Sequence, residues 1–194
     1  MLSLQFTPFP ELTTDRLLLR KFSLADAPGV FQLRSNKETM KYINRPLTIT
    51  MEEAEKWIQL LLDSLHANEG ITWAITLKDQ PENHIGNIGF WRIEKENYRA
   101  EIGYMLEPSL HGKGIMYEAM QEVLKYGFTV MHLHSVEAHL DPENIASAKL
   151  VEKAGFIKEG YFKENYFWNG RFSDTAIYSL LTPYLEAVVV ENDS

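Results

Sequence analysis

Behind Thr50-Met51-Glu52-Glu53 the apolar residues Ala54, Trp57, Ile58, Leu61, Leu62 and Leu65 recur at helical spacing. A threonine followed three residues later by glutamate forms a capping box, so this stretch predicts a long amphipathic helix whose stripe packs on a core. A second stripe, Met116, Ala119, Met120, Val123, Leu124 and Val130, predicts a helix over residues 115–130, and residues 144–154 predict another, stopped at Gly155. Residues 16–22 read as a first strand, after which Ser23, with Asp26 at the capping-box position, starts a helix towards Ser35. Pro28 falls beyond its first turn, so a short or bent helix is expected there. Strand-like runs at 72–77, 85–93 and 100–106 are separated by polar turns and predict an antiparallel meander. Residues 135–140 form one more strand, and 156–167 with 172–181 form a final pair joined at Asn169-Gly170. Helices, an antiparallel run and then a β-α-β-α-β order place the chain in the α+β class. Only residues 1–12 and 191–194 are expected to be loosely held.

A chain of 194 residues, 45% of them hydrophobic, without repeats or a linker-like tract, is expected to form one domain over residues 1–194. Its formal charge of -8 and pI near 5.3 argue against a nucleic-acid partner, because such affinity comes largely from Lys and Arg neutralising phosphates. The same acidity favours a basic acceptor over an acidic one. The absence of cysteine removes disulfides, thiolate metal sites and cysteine nucleophiles together, and suits a reducing compartment. With neither a secretory signal nor an apolar run long enough to span a bilayer, a cytoplasmic protein without a membrane partner is expected. Monomer and homodimer remain equally open. Of the six histidines, His132-x-His134 lacks a carboxylate partner at recognisable spacing, so no metal site is expected, and His132, His134 and His139 are assigned to surface or packing roles.

The segment richest in chemistry is Leu110-His111-Gly112-Lys113-Gly114-Ile115-Met116-Tyr117-Glu118-Ala119, which leaves a strand and enters a helix. Two glycines in three residues allow positive φ angles and gather several backbone N–H groups around one point. The free donors and dipole of the helix start favour an anion there, a pyrophosphate above all. The alternative is a tight strand-to-helix turn. A Walker loop is excluded by its missing pattern, and a Rossmann fingerprint by Tyr117 in place of the third glycine.

Ala100-Glu101-Ile102-Gly103-Tyr104, Gly112-Lys113-Gly114, Asn144-Ile145-Ala146-Ser147 and Glu152-Lys153-Ala154-Gly155-Phe156 occur in this order, after an opening Leu12-Thr13-Thr14-Asp15-Arg16-Leu17-Leu18-Leu19-Arg20. Together they resemble the GCN5-related N-acetyltransferase (GNAT) superfamily, in its RimJ/RimL-like branch of ribosomal-protein N-terminal acetyltransferases. The resemblance implies a mixed, mostly antiparallel central sheet splayed between its fourth and fifth strands, flanked by helices, with acetyl-CoA in the gap. It also implies a pyrophosphate site on the amides of His111, Gly112, Lys113, Gly114, Ile115 and Met116. The pantetheine arm would pair with backbone around Met105 and Leu106, with Asn144 contacting the cofactor. His111 departs from the Gln, Arg or Trp that is commonest at its position.

Acetyl transfer from a thioester to an amine needs a neutral nucleophile, a polarised carbonyl and a proton for the departing thiolate. A lysine-type amine of pKa ~10.4 is almost wholly protonated at neutral pH, a cost of ~4 kcal/mol, whereas an α-amine near ~8 loses under ~1 kcal/mol. Glu101 is the first candidate for the base, since its Ala-Glu-Ile context resembles the histone-acetylating branch. Strand alternation sets Glu101, Gly103 and Met105 on one face, Ile102, Tyr104 and Leu106 on the other. The structural alternative for Glu101 is a salt bridge to Arg99 or Arg92. Glu137 is the second candidate, by loose resemblance to ribosomal alanine acetyltransferases. Many GNATs place an acidic tyrosine seven residues after the asparagine, but Val151 stands there; Ser147 matches a serine given that role in the RimL-like branch. The alternative for Ser147 is a helix hydroxyl with a local backbone bond. The cluster Tyr161, Phe162, Tyr166, Phe167 and Trp168 reads as strand packing, while Trp91, Tyr98 and Tyr166 are candidates for an acceptor pocket.

The expected activity is direct transfer from acetyl-CoA, without a metal, to a primary amine on a protein N-terminus or small molecule. The competing reading is a non-catalytic acyl-CoA-binding or regulatory module, which the loss of the tyrosine at Val151 would permit.

Overall fold

The computed structural model describes residues 1–184. Its strands are β1 (Leu12–Thr13), β2 (Leu17–Arg20), β3 (Ile71–Leu77), β4 (Gly86–Glu94), β5 (Arg99–Leu106), β6 (Ser135–Leu140), β7 (Ile157–Trp168) and β8 (Arg171–Leu181). The helices are α1 (Ala27–Ser35), α2 (Lys37–Met40), α3 (Met51–His66), α4 (Ile115–Thr129) and α5 (Ile145–Lys153). All eight strands join one sheet in the order β1-β2-β3-β4-β5-β6-β8-β7. Every pairing is antiparallel except β5 with β6.

That parallel pair is the origin of the site. Arg99, Ala100 and Glu101 register with Ser135, Val136 and Glu137, and the pairing then stops although both strands continue. Beyond Glu101 the strands splay. β6 instead pairs along its whole length with β8, which keeps its backbone groups bonded on one side.

Helices cover both faces. On one, α1 and α3 bury Val30, Ala54 and Ile58 against Phe22 and Ala74. On the other, α4 and α5 bury Met120, Val123 and Val151 against Trp73, Ile88 and Phe90. α4 lies close because its Gly127 faces Phe90: a Cβ there would come within 2.7 Å of Cζ. The caps follow the sequence. Thr50 accepts from Glu53 N–H at 3.3 Å, and the Glu53 carboxylate reaches back to Ile49 N–H at 2.7 Å, one residue before the expected partner.

Several expectations need correction. Residues 1–12 are not loosely held, since Leu2 and Phe6 are buried, Phe6 N–H donates to Asn68 Oδ1 at 3.0 Å and Trp73 Nε1 to Pro10 O at 2.7 Å. These contacts span more than sixty residues, and such partners leave no local period to detect. Ser23 opens a 3-10 turn, Leu24–Asp26, so that Pro28 lies within the first turn of α1, where a missing N–H costs nothing. The short helix α2, capped by Asn36 accepting from Glu38 N–H at 2.8 Å, was not expected from periodicity. Residues 191–194 lie outside the described residues.

Candidate active site

A 3-10 turn, Pro108–Leu110, leads from β5 into the glycine loop. Gly112 and Gly114 have φ of +74° and +75°, so both adopt the left-handed conformation for which glycine was expected, and Gly114 caps α4. Arg16 fastens the loop from behind: Nη1 donates to Lys113 O at 3.0 Å, and Nε meets Glu118 Oε2 at 2.6 Å. The open N-terminus of the fifteen-residue α4 carries a partial positive charge and unbonded N–H groups.

A cavity of about 740 Å³ lies in front of this loop. Met105, Leu106, His111, Gly112, Gly114, Ile115, Met116, Asn144 and Ser147 line it, which brings together the residues singled out for the cofactor except Lys113. Lys113 is not on its wall. Within the loop, His111 N–H is engaged by Pro108 O at 3.1 Å, and His111 Nε2 lies 3.0 Å from Leu106 O. Lys149 and Lys153 of α5 also reach this cavity, two cations that sequence spacing did not single out.

On the other side of the splay is a cavity of about 650 Å³. The two share Tyr42, Ile43, Tyr104, Met105, Asn144 and Ser147. Ser147 is held by the cap of α5, its N–H donating to Asn144 Oδ1 at 3.1 Å, while its Oγ lies 2.6 Å from Tyr104 Oη. Burial pushes the Tyr104 phenol up to about 12, against the opposing effect of the Ser147 hydrogen bond. Val151 turns the other way and is fully buried in the core, so its position faces no cavity.

Glu101 forms part of the floor of the second cavity and is 9% exposed. Its Oε2 lies 3.0 Å from Arg92 Nη1 and 3.7 Å from His139 Nδ1. Burial raises its pKa above the usual carboxylate range; His139 and Arg92 oppose this, and Glu137 adds to it. Arg99 pairs with Glu94 and Glu137, so of the two arginines proposed for Glu101 only Arg92 reaches it. Glu137 is near but off the cavity wall, bound by Arg99 Nη1 at 2.9 Å and by His139 Nε2 at 3.1 Å. His139, assigned from sequence to a surface or packing role, thus bridges the two candidate bases, because β6 alternation puts residues 137 and 139 on one face.

Trp91 and Tyr166 line this second cavity as expected, but Tyr98 does not. Its hydroxyl accepts from the Met1 amino group at 2.6 Å and its ring packs on the core. In the aromatic cluster of β7, Phe167 packs across the strands on Phe172, ring centroids 4.9 Å apart, as strand packing predicts, while Tyr161, Phe162 and Phe167 are each half-exposed or more. A bulge between Phe162 and Tyr166 breaks the register with β8, and Phe162, Asn165 and Tyr166 line the cavity wall. Tyr42 and Tyr104 were missed as site residues. Tyr104 was visible only as a β-strand apolar position, and Tyr42 sits in a loop with no motif.

A sheet splayed after three parallel pairings, with a glycine loop opening onto the gap, is the arrangement that the resemblance implied. The match to known proteins is consistent with this. Residues 16–157 match the model of the acetyltransferase (GNAT) domain, and the chain belongs to that family. It is 39% identical over 170 residues to the uncharacterized N-acetyltransferase p20 of Bacillus licheniformis, covering 88% of this chain and 95% of that one. It is 28% identical to the [ribosomal protein uS5]-alanine N-acetyltransferase of Escherichia coli, over 91% of this chain and 93% of the relative. Among solved structures, a GNAT-family acetyltransferase from Bacillus anthracis superposes with a TM-score of 0.78 at 31% identity, covering 89% of this chain and 98% of the other. Spermidine N-acetyltransferase from Vibrio cholerae, in complex with CoA and spermine, does so at 0.76 and 27%, covering 87% and 96%. The protein is an N-acetyltransferase, and the mixed sheet flanked by helices is the GNAT fold expected from sequence.

Proposed function

We propose that this N-acetyltransferase moves the acetyl group of acetyl-CoA directly to a primary amine, on a protein N-terminus or a small molecule, in the cytoplasm. One observation carries the reading: Tyr104, Met105, Asn144 and Ser147 line both cavities, so a thioester arriving from one side and an amine from the other meet at that seam. The loop amides of residues 112–116 and the α4 dipole receive the pyrophosphate, with Lys149 and Lys153 adding positive charge. His111 contributes through its ring near Leu106 O, its own N–H being engaged within the loop. Lys113 contributes by shape, its carbonyl held by Arg16.

Acetyl-CoA supplies an activated carbonyl and a leaving group that is tolerable unassisted, since a thiol has a pKa near ~8.5. Glu101 accepts the proton of the incoming ammonium, which its burial suits it to hold. Glu137, engaged by Arg99 and His139, is less free to do so. The hydrogen-bonded hydroxyls of Tyr104 and Ser147 deliver a proton to the departing sulfur, in the place of the tyrosine that Val151 lacks. The relatives that act on spermidine and on a ribosomal-protein alanine support an amine acceptor in general terms.

Free-thiol release from acetyl-CoA in the presence of a panel of amines and N-terminal peptides tests the reading, with CoA binding measured separately by calorimetry. Turnover with any acceptor is expected. Binding of CoA without acetylation of any member would return the chain to a non-catalytic acyl-CoA module.

A further inference from the structure

The wall of the second cavity opposite the sheet is built from α1, α3 and the loop after α2, and it carries two arginines without carboxylate partners. Arg34, on α1, lies with its guanidinium 4.8 Å from the ring of Trp57 on α3, and its Nε is buried without a hydrogen-bond partner. Arg45 donates from Nη1 to Tyr166 Oη at 2.5 Å and to Asn44 O at 3.0 Å, both uncharged acceptors. Among the described residues no Asp or Glu pairs with either. Burial disfavours the charge of Arg34, and the nearby Arg45 acts in the same sense.

The cavity's carboxylates are already engaged. Glu101 is paired with Arg92, Asp174 accepts from Glu164 N–H at 2.7 Å and from the Tyr161 hydroxyl, and Asp141 caps Glu143 N–H at 2.9 Å. Around the whole cavity the charges balance, Arg34, Arg45 and Arg92 against Glu101, Asp141 and Asp174, and the wall that carries Arg34 and Arg45 is positive although the chain is acidic. The contact with the Trp57 ring does not use up the N–H donors of the Arg34 guanidinium. A half-buried guanidinium whose Nε has no partner is costly unless an anion completes it.

We infer that Arg34 and Arg45 form an anion subsite of the acceptor cavity, and that the preferred acceptor is a small amine bearing a carboxylate or phosphate group. This rests on the acetyl-transfer reading, with Glu101 on the cavity floor taking the amine and the arginines on the opposite wall taking the anion. A volume of about 650 Å³ suits a small molecule. Guanidinium recognises carboxylate and phosphate alike through paired N–H donors, so the two anions share one chemistry here.

Calorimetric titration of the CoA-saturated protein with matched acceptors tests the inference: O-phosphoethanolamine against ethanolamine, 4-aminobutyrate against butylamine, and spermidine as a purely cationic amine. Each member that bears the anionic group should bind at least tenfold more tightly than its partner without one, and the two pairs tell phosphate from carboxylate. Arg34→Met and Arg45→Gln should each remove about tenfold or more of that preference. Arg45 is exposed, so its variant folds even where the half-buried Arg34 position does not tolerate change. Equal or better binding of ethanolamine, butylamine or spermidine overturns the inference, as does a preference that survives both substitutions or no binding by any anionic member. CoA affinity, measured first on each sample, reports failure of the acetyl-CoA reading separately; the titrations then proceed on the free protein.

Discussion

The Tyr104 hydroxyl lies 2.6 Å from Ser147 Oγ, joining the middle of the sheet to the first turn of α5 where β5 and β6 have separated. Neither residue makes the arrangement alone, since Tyr104 needs the splay to face α5 and Ser147 needs Asn144 to fix the start of that helix. If this pair protonates the thiolate, Tyr104→Phe and Ser147→Ala should each lower kcat by about ten- to a hundredfold, the low end of general-acid effects because a thiolate leaves readily. KM for acetyl-CoA should change little. A rise in KM at constant kcat, measured by steady-state thiol release, would instead assign Ser147 to binding.

Glu101→Gln should reduce kcat/KM by about a hundredfold with a lysine-like amine and much less with an α-amine, whose own pKa leaves more of it neutral. In the parent protein kcat/KM should rise with pH through a carboxylate limb displaced above the usual range, because burial raises that pKa. The variant should lack this limb. A pH–rate profile from pH 5 to 9 that is identical in both proteins removes Glu101 from the role of base.

Arg16 and Glu118 hold the glycine loop against β2, with Thr14 Oγ1 also donating to Glu118 at 2.5 Å. Glu118→Gln weakens this fastening without touching the cavity wall. KM for acetyl-CoA should rise several-fold at nearly constant kcat, with little change in melting temperature, since exposed ion pairs contribute only ~0–1 kcal/mol.

Val151→Tyr restores the commonest residue at the position and should nonetheless fail to raise kcat. Val151 is fully buried, so the larger ring overpacks the core and should cost about 3 kcal/mol or more. Chemical denaturation checks the loss of stability, and any gain in turnover would contradict the placement of this side chain.

His84 is buried against Phe22, ring centroids 5.2 Å apart, and desolvation lowers its pKa to about 4. The unfolded chain therefore binds the proton more readily. Stability from this group is complete above about pH 6.5 and is lost as pH falls through about 4, to a total of roughly 3 kcal/mol. His84→Leu should flatten the stability–pH curve across that window. Urea titrations at pH 4, 5 and 7 measure the difference.

Local chemistry alone determined the elements and the cofactor side of the site. The stripe from Ala54 to Leu65, the turn at Asn169-Gly170 and the paired glycines at 112 and 114 impose their conformations through neighbours a few residues away, so a linear reading finds them. The face on which Glu101 lies follows from alternation on β5, which also works over two residues, whereas its burial comes from packing on both faces, since Ala100, Glu101 and Ile102 are buried in succession. What lay beyond such reach was decided by the tertiary structure. Where β5 parts from β6, which side chains border both cavities, and the meeting of Tyr104 with Ser147 depend on contacts between residues far apart in the chain. Tyr98 was drawn to the Met1 amino group and His139 to Glu101 for the same reason. Charge illustrates the difference most directly. The sequence totals -8 and pointed to a basic acceptor, yet the fold pairs Glu101 with Arg92 and leaves Arg34 and Arg45 without a carboxylate partner on the opposite wall. A sum of charges carries no positions, and electrostatic recognition depends on positions within a few ångströms.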